Sequence, residues 1–379
     1  MKIGFAARFS PLDKRSWSGT THYTYQQIKK NYEVEIFNYK WTWRVREWLT
    51  MQKSLNRKLF KKHTVVEFLK NYAKFFSKQL ENDLKRRPVD VLFVSASSQM
   101  IAYLETAIPV IYMTDATFRQ LQGYYSYFSN LPAYNLRQGI ELDRKAFLKT
   151  AHCMLASEWC KNSAVNDYGV DPNKISVIPC GANLDAIPQL SDLNLNAPGQ
   201  CRLLFLGVEW DRKGGDIALE TFRLLKEKGI NPHLHIIGCV PPHDLSAESA
   251  ITVIPFLDKN DPAQFQQLQQ IFFQTDILLL PTRAECAGVV FSESSAYGIP
   301  SITTNTGGVS TYVKDGINGF ALPVEANADA YANKIGQLVS DQQAIQNLKL
   351  SSRKHYEEKL NWDLWGQQFA AIAEQLVRH

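Results

Sequence analysis

Two Rossmann-like, doubly wound α/β domains, facing each other across a substrate cleft, are the architecture that this 379-residue chain predicts. Three observations carry the expectation. The length exceeds what one core fills, since single cores stop growing at about 250–300 residues. Short apolar runs alternate with longer amphipathic stretches, the order that builds parallel sheets covered by helices. The alternation lapses once, at the polar, Pro-bearing stretch 184–200, and then restarts.

The first domain is expected over 1–183. Residues 3–7 are apolar enough for an opening strand, a polar loop follows, and 23–31 reads as a helix. A second strand covers 33–37, and long helices fill 43–85. Strands at 88–94 and 108–113 precede a helix at 139–150, and strands at 152–156 and 175–178 close the domain. The second domain, 184–361, repeats the scheme, with strands at 202–206, 233–237, 251–254, 276–280 and 300–304. Helices at 215–228 and 262–274 lie between them. Another helix, 289–297, stops at Gly298 and Pro300, residues that cannot continue it.

Composition is globular, and the opening apolar run is too short for a signal peptide or a membrane span, so a cytoplasmic protein is expected. The six cysteines form no Cys-x-x-Cys pair and lack histidines at zinc spacing, so they read as reduced, mostly buried thiols. The eight histidines show no metal or triad spacing. Charge is divided unevenly: residues 1–183 hold 27 basic and 15 acidic residues, the remainder 15 and 22. Residues 40–78 alone hold 11 basic and 2 acidic, interleaved with Trp41, Trp43, Trp48, Phe60, Phe68 and Tyr72. That pattern suits an anionic surface, which makes the protein a candidate for peripheral attachment to the inner membrane face. Two amphipathic helices with a solvated basic face explain it equally well. No recognised nucleic-acid motif accompanies the charge.

The chemistry concentrates at Glu285-Cys-Ala-Gly-Val-Val-Phe-Ser-Glu293. Glu285 stands on the loop leaving strand 276–280, and Glu293 lies about a turn and a half into the next helix. Between them the N–H groups of Ala287, Gly288, Val289 and Val290 form a helix N-terminus, which attracts phosphate through its orphan donors and dipole. Two hydroxyl acceptors thus flank an anion site, the layout of a sugar joined to a nucleoside by a diphosphate. Earlier, Leu206-Gly-Val-Glu-Trp-Asp-Arg-Lys-Gly-Gly215 sets Arg212 and Lys213 beside a helix start, where cations oppose the dipole unless an anion sits between. Gly19, in Ser16-Trp-Ser-Gly-Thr20, permits close backbone approach to a ligand, but the loop is no Gly-x-Gly-x-x-Gly. Strand 33–37 also ends in Asn38 rather than an acid, which argues against a dehydrogenase.

Together with Ala296-Tyr-Gly-Ile-Pro300, Gly307-Gly308 and Asp315-Gly-Ile-Asn-Gly319, these motifs resemble the retaining glycosyltransferases of family four, which have the GT-B fold. The resemblance is densest over 276–323, good over 203–215 and weaker in the first half. It implies a nucleotide-diphosphate-sugar donor, with a UDP-hexose such as UDP-glucose the commonest in the family. The acceptor hydroxyl would belong to a glycan or a lipid-linked acceptor. It implies that Glu285 accepts from the sugar hydroxyls at C3 and C4, that Glu293 binds the ribose hydroxyls, and that Lys213 holds the diphosphate. The family's arginine falls at Val208, so Arg212 or another residue supplies the second charge; Arg283, close to Glu285, is a further candidate or else only an ion-pair partner of that carboxylate. The family's loop glycine pair is reduced to Gly19, followed by Thr20. Its histidine is replaced by Thr114-Asp115, so Asp115 lies either beside the acceptor or at a helix cap. The last helix, 362–379, would cross back onto the first domain. No Asp-x-Asp pair occurs, so neither a metal nor a resident cofactor is expected. Two other readings remain: a UDP-sugar epimerase, which needs an acid/base pair that the sequence does not display, and a non-catalytic membrane-surface protein on the same fold.

Overall fold

The computed structural model describes residues 1–39, 61–193, 195 and 200–378. Two compact units result: Met1–Trp17, Thr21–Ile178 and Gly366–His379 make the first, and Ser18–Thr20 with Pro179–Trp365 the second.

The first unit is a six-stranded parallel sheet in the order β2-β1-β3-β4-β5-β6. Its strands are β1 (Lys2–Ala7), β2 (Glu33–Phe37), β3 (Val91–Ser95), β4 (Val110–Thr114), β5 (His152–Leu155) and β6 (Ile175–Val177). Its long helices are α1 (Thr20–Lys29), α2 (Lys70–Arg86), α3 (Ala133–Lys149) and α4 (Glu158–Tyr168). β3 and β4 are buried along their whole length, which is why they read as unbroken apolar runs rather than alternating ones. α2 turns Tyr72, Phe76, Leu80 and Leu84 onto that sheet, beside Leu92 and Val94.

The second unit repeats the design in the order β12-β11-β10-β7-β8-β9, again parallel. The strands are β7 (Cys201–Leu206), β8 (Pro232–Ile237), β9 (Ile251–Ile254), β10 (Ile277–Leu280), β11 (Ser301–Thr304) and β12 (Gly319–Leu322). Helices α5 (Gly215–Glu227), α6 (Pro262–Gln274), α7 (Val289–Ala296), α8 (Ala328–Ser340) and α9 (Gln342–Lys359) cover it. The strand order reverses between β7 and β10. Crossovers there leave in opposite directions and open a crevice at the carboxyl ends of the strands, where ligands of such sheets bind. The final helix, α10 (Trp362–Arg378), places Phe369 edge-on to Phe93 of the first unit's sheet, with ring centroids 5.6 Å apart.

The two-domain α/β class is thus as expected, and some elements differ. The expected helix at 139–150 begins six residues earlier, at Ala133, because Pro132 sits at its N-cap, where a missing N–H costs nothing. Long helices over 43–85 are replaced, within 61–69, by a single 3₁₀ turn at Val66–Phe68 before α2 begins. Residues 43–60 lie outside the described residues, as do Trp41, Trp43, Trp48 and Phe60 of the basic aromatic stretch. All six cysteines are free and buried. Among the described residues no helix is long and apolar enough to cross a membrane.

Candidate functional site

The site grows from two loops that leave adjacent strands. Leu203 pairs with Ile277 and Leu204 with Leu278, so the loops after β7 and β10 emerge side by side at the reversal of strand order. Glycines let them touch. Gly214 has φ +74°, and a Cβ there would lie 2.0 Å from the Pro281 carbonyl oxygen, a contact with backbone that nothing relieves. The Arg283 N–H then donates to the Arg212 carbonyl at 2.8 Å, locking one loop onto the other.

This lock brings three charged groups together. Lys213 ends the short helix Trp210–Lys213, and its Nζ forms an ion pair with Glu285 Oε2. Both side chains are about one-tenth exposed, at 10% and 9%. Arg212 Nη1 donates to the Ala284 carbonyl at 2.9 Å and approaches the same Glu285 oxygen at 3.9 Å. A carboxylate so far from water is costly unless cations offset it, and here two do so. The pairing also means that a ligand bringing hydroxyls and phosphates finds an acceptor and a positive charge already oriented.

Behind the pair, backbone contacts fix Glu285. The Gly308 N–H donates to its carbonyl at 3.0 Å, which gives the Gly307-Gly308 motif its place. Gly288, at φ +77°, caps α7, and a Cβ there would lie 2.5 Å from the Phe291 ring and 3.1 Å from Glu285 Cγ. No side chain caps α7 and its first turn carries no acid, so the N–H groups after Ala287 and Gly288, on Val289 and Val290, present a bare positive helix end. Glu293 is buried further along α7, and Lys259 Nζ donates to its Oε1 at 2.6 Å. Sequence reasoning passed over Lys259, which stands in the loop after β9 with no motif to mark it.

The Asp315-Gly-Ile-Asn-Gly319 motif is scaffold. Asn318 is fully buried; its Nδ2 donates to the Tyr312 carbonyl at 2.8 Å and to Ser295 Oγ at 3.1 Å, bracing α7 from behind. Gly19 and Thr20 sort with this unit. Trp17, Ser18 and Gly19 all have positive φ, at 50°, 56° and 93°, a costly run for non-glycine residues. Asn183 holds the loop there, its Nδ2 donating to the Ser18 carbonyl at 2.9 Å. The same segment receives α7, because Ser292 Oγ donates to the Cys180 carbonyl at 2.9 Å.

Two expectations need correction or division. Arg283 does not pair with Glu285; it forms a fork on Asp216, at 2.9 and 2.7 Å, and holds that carboxyl below its usual range. Arg212 is therefore the arginine that reaches Glu285, while Val208 is exposed. Asp115 belongs to the first unit, half-buried just after β4. It does not cap the helix that follows: Thr117 does, in a reciprocal capping box with Gln120. Among the described residues, no three His, Cys, Asp or Glu side chains are grouped to hold a metal ion.

Comparison with known proteins bears on the family and the fold. Residues 20–186 match the family described as Glycosyltransferase Family 4, and residues 193–355 match Glycosyl transferases group 1. D-inositol 3-phosphate glycosyltransferase of Nocardia farcinica is 27% identical over 234 residues, which are 57% of this chain and 51% of that protein. The chain spans about half the length of the curated relatives it matches. Among solved structures, a glycosyltransferase from Rickettsia africae superposes with a TM-score of 0.69 at 16% identity, over 100% of this chain and 99% of that one. Anabaena HepE, solved with UDP and glucose, gives 0.65 at 14%, over 99% of each. Two parallel Rossmann-like sheets, the motif order along the second and family matches to both halves lead to one conclusion: the chain belongs to the group 1 glycosyltransferases and has the GT-B fold.

Proposed function

We propose that the protein transfers a hexose, with retention and without a metal, from a nucleotide diphosphate sugar to a hydroxyl of a glycan or lipid-linked acceptor. A UDP-hexose such as UDP-glucose is the donor in this reading. The observation that carries it is the buried Lys213–Glu285 pair, with Arg212 beside it, at the strand reversal between β7 and β10. Glu285 accepts from the sugar's C3 and C4 hydroxyls. Lys213 and Arg212, with the N–H groups at the start of α7, neutralise the diphosphate as negative charge develops on departure. Glu293 accepts from the ribose hydroxyls, displacing or sharing Lys259. The acceptor hydroxyl attacks from the face that the diphosphate leaves, its proton passing to the departing phosphate, so no separate protein base is required. Asp115, Gly19 and Thr20 serve the acceptor side and the phosphates.

The acceptor is presented at an anionic membrane surface in this reading, with basic residues of 40–78 facing it; the charge split along the chain supports that view. A thermal-shift series with UDP, ADP and GDP tests the donor class. A ligand at 100 times its dissociation constant adds about 2.7 kcal/mol, so UDP should raise the melting point and the others far less. Equal responses to all three, or none, would remove the UDP assignment. Interconversion of the sugar without transfer would favour an epimerase.

A further inference from the structure

The first unit carries a second pocket, of about 680 Å³, that the donor site does not use. It lies between the start of α2 and the length of α3 and is lined by Lys70, Lys74, Tyr103, Arg137, Glu141 and Lys145. Both helices return antiparallel to the strands, so Lys70, Lys74 and Arg137, in their first two turns, lie toward the carboxyl edge of the sheet, and Lys145 lies further along α3. Four cations face one carboxylate. Lys145 pairs with Glu141 at 3.3 Å, and among the described residues no carboxylate pairs with Lys70, Lys74 or Arg137. Lys74 and Lys145 both hold their ammonium groups 5.6 Å from the centroid of the Tyr103 ring. One ring face or edge cannot neutralise two ammonium groups, and its attraction is weak where water reaches it. Like charges gathered in a concavity focus a positive potential that an anion relieves. The arrangement also suits one anion in particular, because lysines supply point charges and an arginine a planar fork, a combination that fits the tetrahedral oxygens of phosphate.

We infer that this pocket binds a phosphate group, carried either by an anionic lipid headgroup or by a soluble phosphate compound. The headgroup source rests on the membrane reading above; the soluble source does not. Neither depends on sugar transfer, so the test is independent of the donor site.

The experiment compares wild type, a pocket variant with Lys74→Gln and Arg137→Gln, and a charge-matched control with Lys226→Gln and Lys354→Gln in the second unit. Each is assayed by calorimetry with inorganic pyrophosphate, in saturating UDP so that the donor site is filled, and by co-sedimentation with vesicles of phosphatidylglycerol or phosphatidylcholine. Melting curves confirm that all three are folded. Each basic residue near an anionic surface is worth about fivefold in binding, so losing two should weaken phosphatidylglycerol binding about 30-fold in the pocket variant and little in the control. Saturable pyrophosphate binding lost in the pocket variant, without vesicle binding, would support the site with a soluble ligand. The inference is overturned if wild type binds neither probe, or if the control loses as much as the pocket variant, since the effect would then be net charge alone.

Discussion

Removing the Lys213 ammonium tests whether this residue holds the fold, the ligand or both. Lys213→Met keeps the stem that packs over Gly207, where a Cβ would already lie 2.7 Å from Lys213 Cγ, and deletes only the charge. Glu285 is then a buried carboxylate that has lost its nearest cation, and breaking a buried pair from one side costs about 3–5 kcal/mol. Arg212, at 3.9 Å, remains to offset part of this, so the lower end, about 3 kcal/mol, is expected. For a domain of this size that is a fall of about 6–12 °C in melting point. Glu285→Gln on the same background removes the second charge, and the double variant should regain about 1–3 kcal/mol as coupling. UDP binding, in contrast, should be lost in Lys213→Met and stay lost in the double variant, because the diphosphate still lacks its cation. Melting curves with and without UDP, on wild type, both single variants and the double, provide the full cycle. Strictly additive stabilities, or UDP binding that returns with stability, would refute the reasoning.

Gly288→Ala should destabilise the second unit by at least about 1–3 kcal/mol, the usual cost of forcing a side chain into left-handed backbone, with the Phe291 contact adding to it; urea midpoints check it. Asp143 is buried in the first unit, bonded by Ser98 Oγ and the Phe118 N–H at 2.6 Å each, and burial lifts its carboxyl from 3.8 to about 6. The folded state therefore keeps this proton when the unfolded chain has released it, so stability should fall as pH rises from about 4 to 6, and Asp143→Asn should flatten that segment of a melting-point profile. Sugar transfer should survive EDTA, since Lys213 and Arg212 supply the positive charge; full loss restored by magnesium or manganese would contradict the metal-independent reading.

Much of this fold is written in short-range patterns. β3, β4 and β10 are buried on both faces, so their apolar runs need no periodicity to be read. α6 shows its bounds through Asp261 at the cap and Pro262 at the first position. α8 and α9 lie outside the expected elements although Asn327 and Asp341 cap them and α8 buries Tyr331, Ala332, Ile335 and Leu338 along one face. β12 is absent from the expected strands because it starts with Gly319, the last residue of a motif that reads as a turn. At the site, Glu285, Glu293 and Lys213 could be picked out because strand–loop–helix junctions announce themselves. Partnerships could not: that Arg283 turns to Asp216 and that Arg212 reaches Glu285 depend on loops brought together by β7–β10 pairing, and that Lys259 meets Glu293 depends on the loop after β9 reaching α7. The Asn318 brace on α7 is equally invisible in a motif that reads as a turn.

The most direct test of the central claim is the anomer released from the donor. Wild type and Glu285→Gln are incubated with UDP-glucose and, in parallel, with other UDP-hexoses, and the first sugar product or glycoside is observed by proton NMR before it can mutarotate. A retaining transferase that uses Glu285 gives the α-product from an α-linked donor, with UDP released in step, and at least a tenfold loss in Glu285→Gln; one charge-assisted hydrogen bond of about 1.5–3 kcal/mol accounts for that factor. A β-product, or turnover that ignores the substitution, would contradict the account.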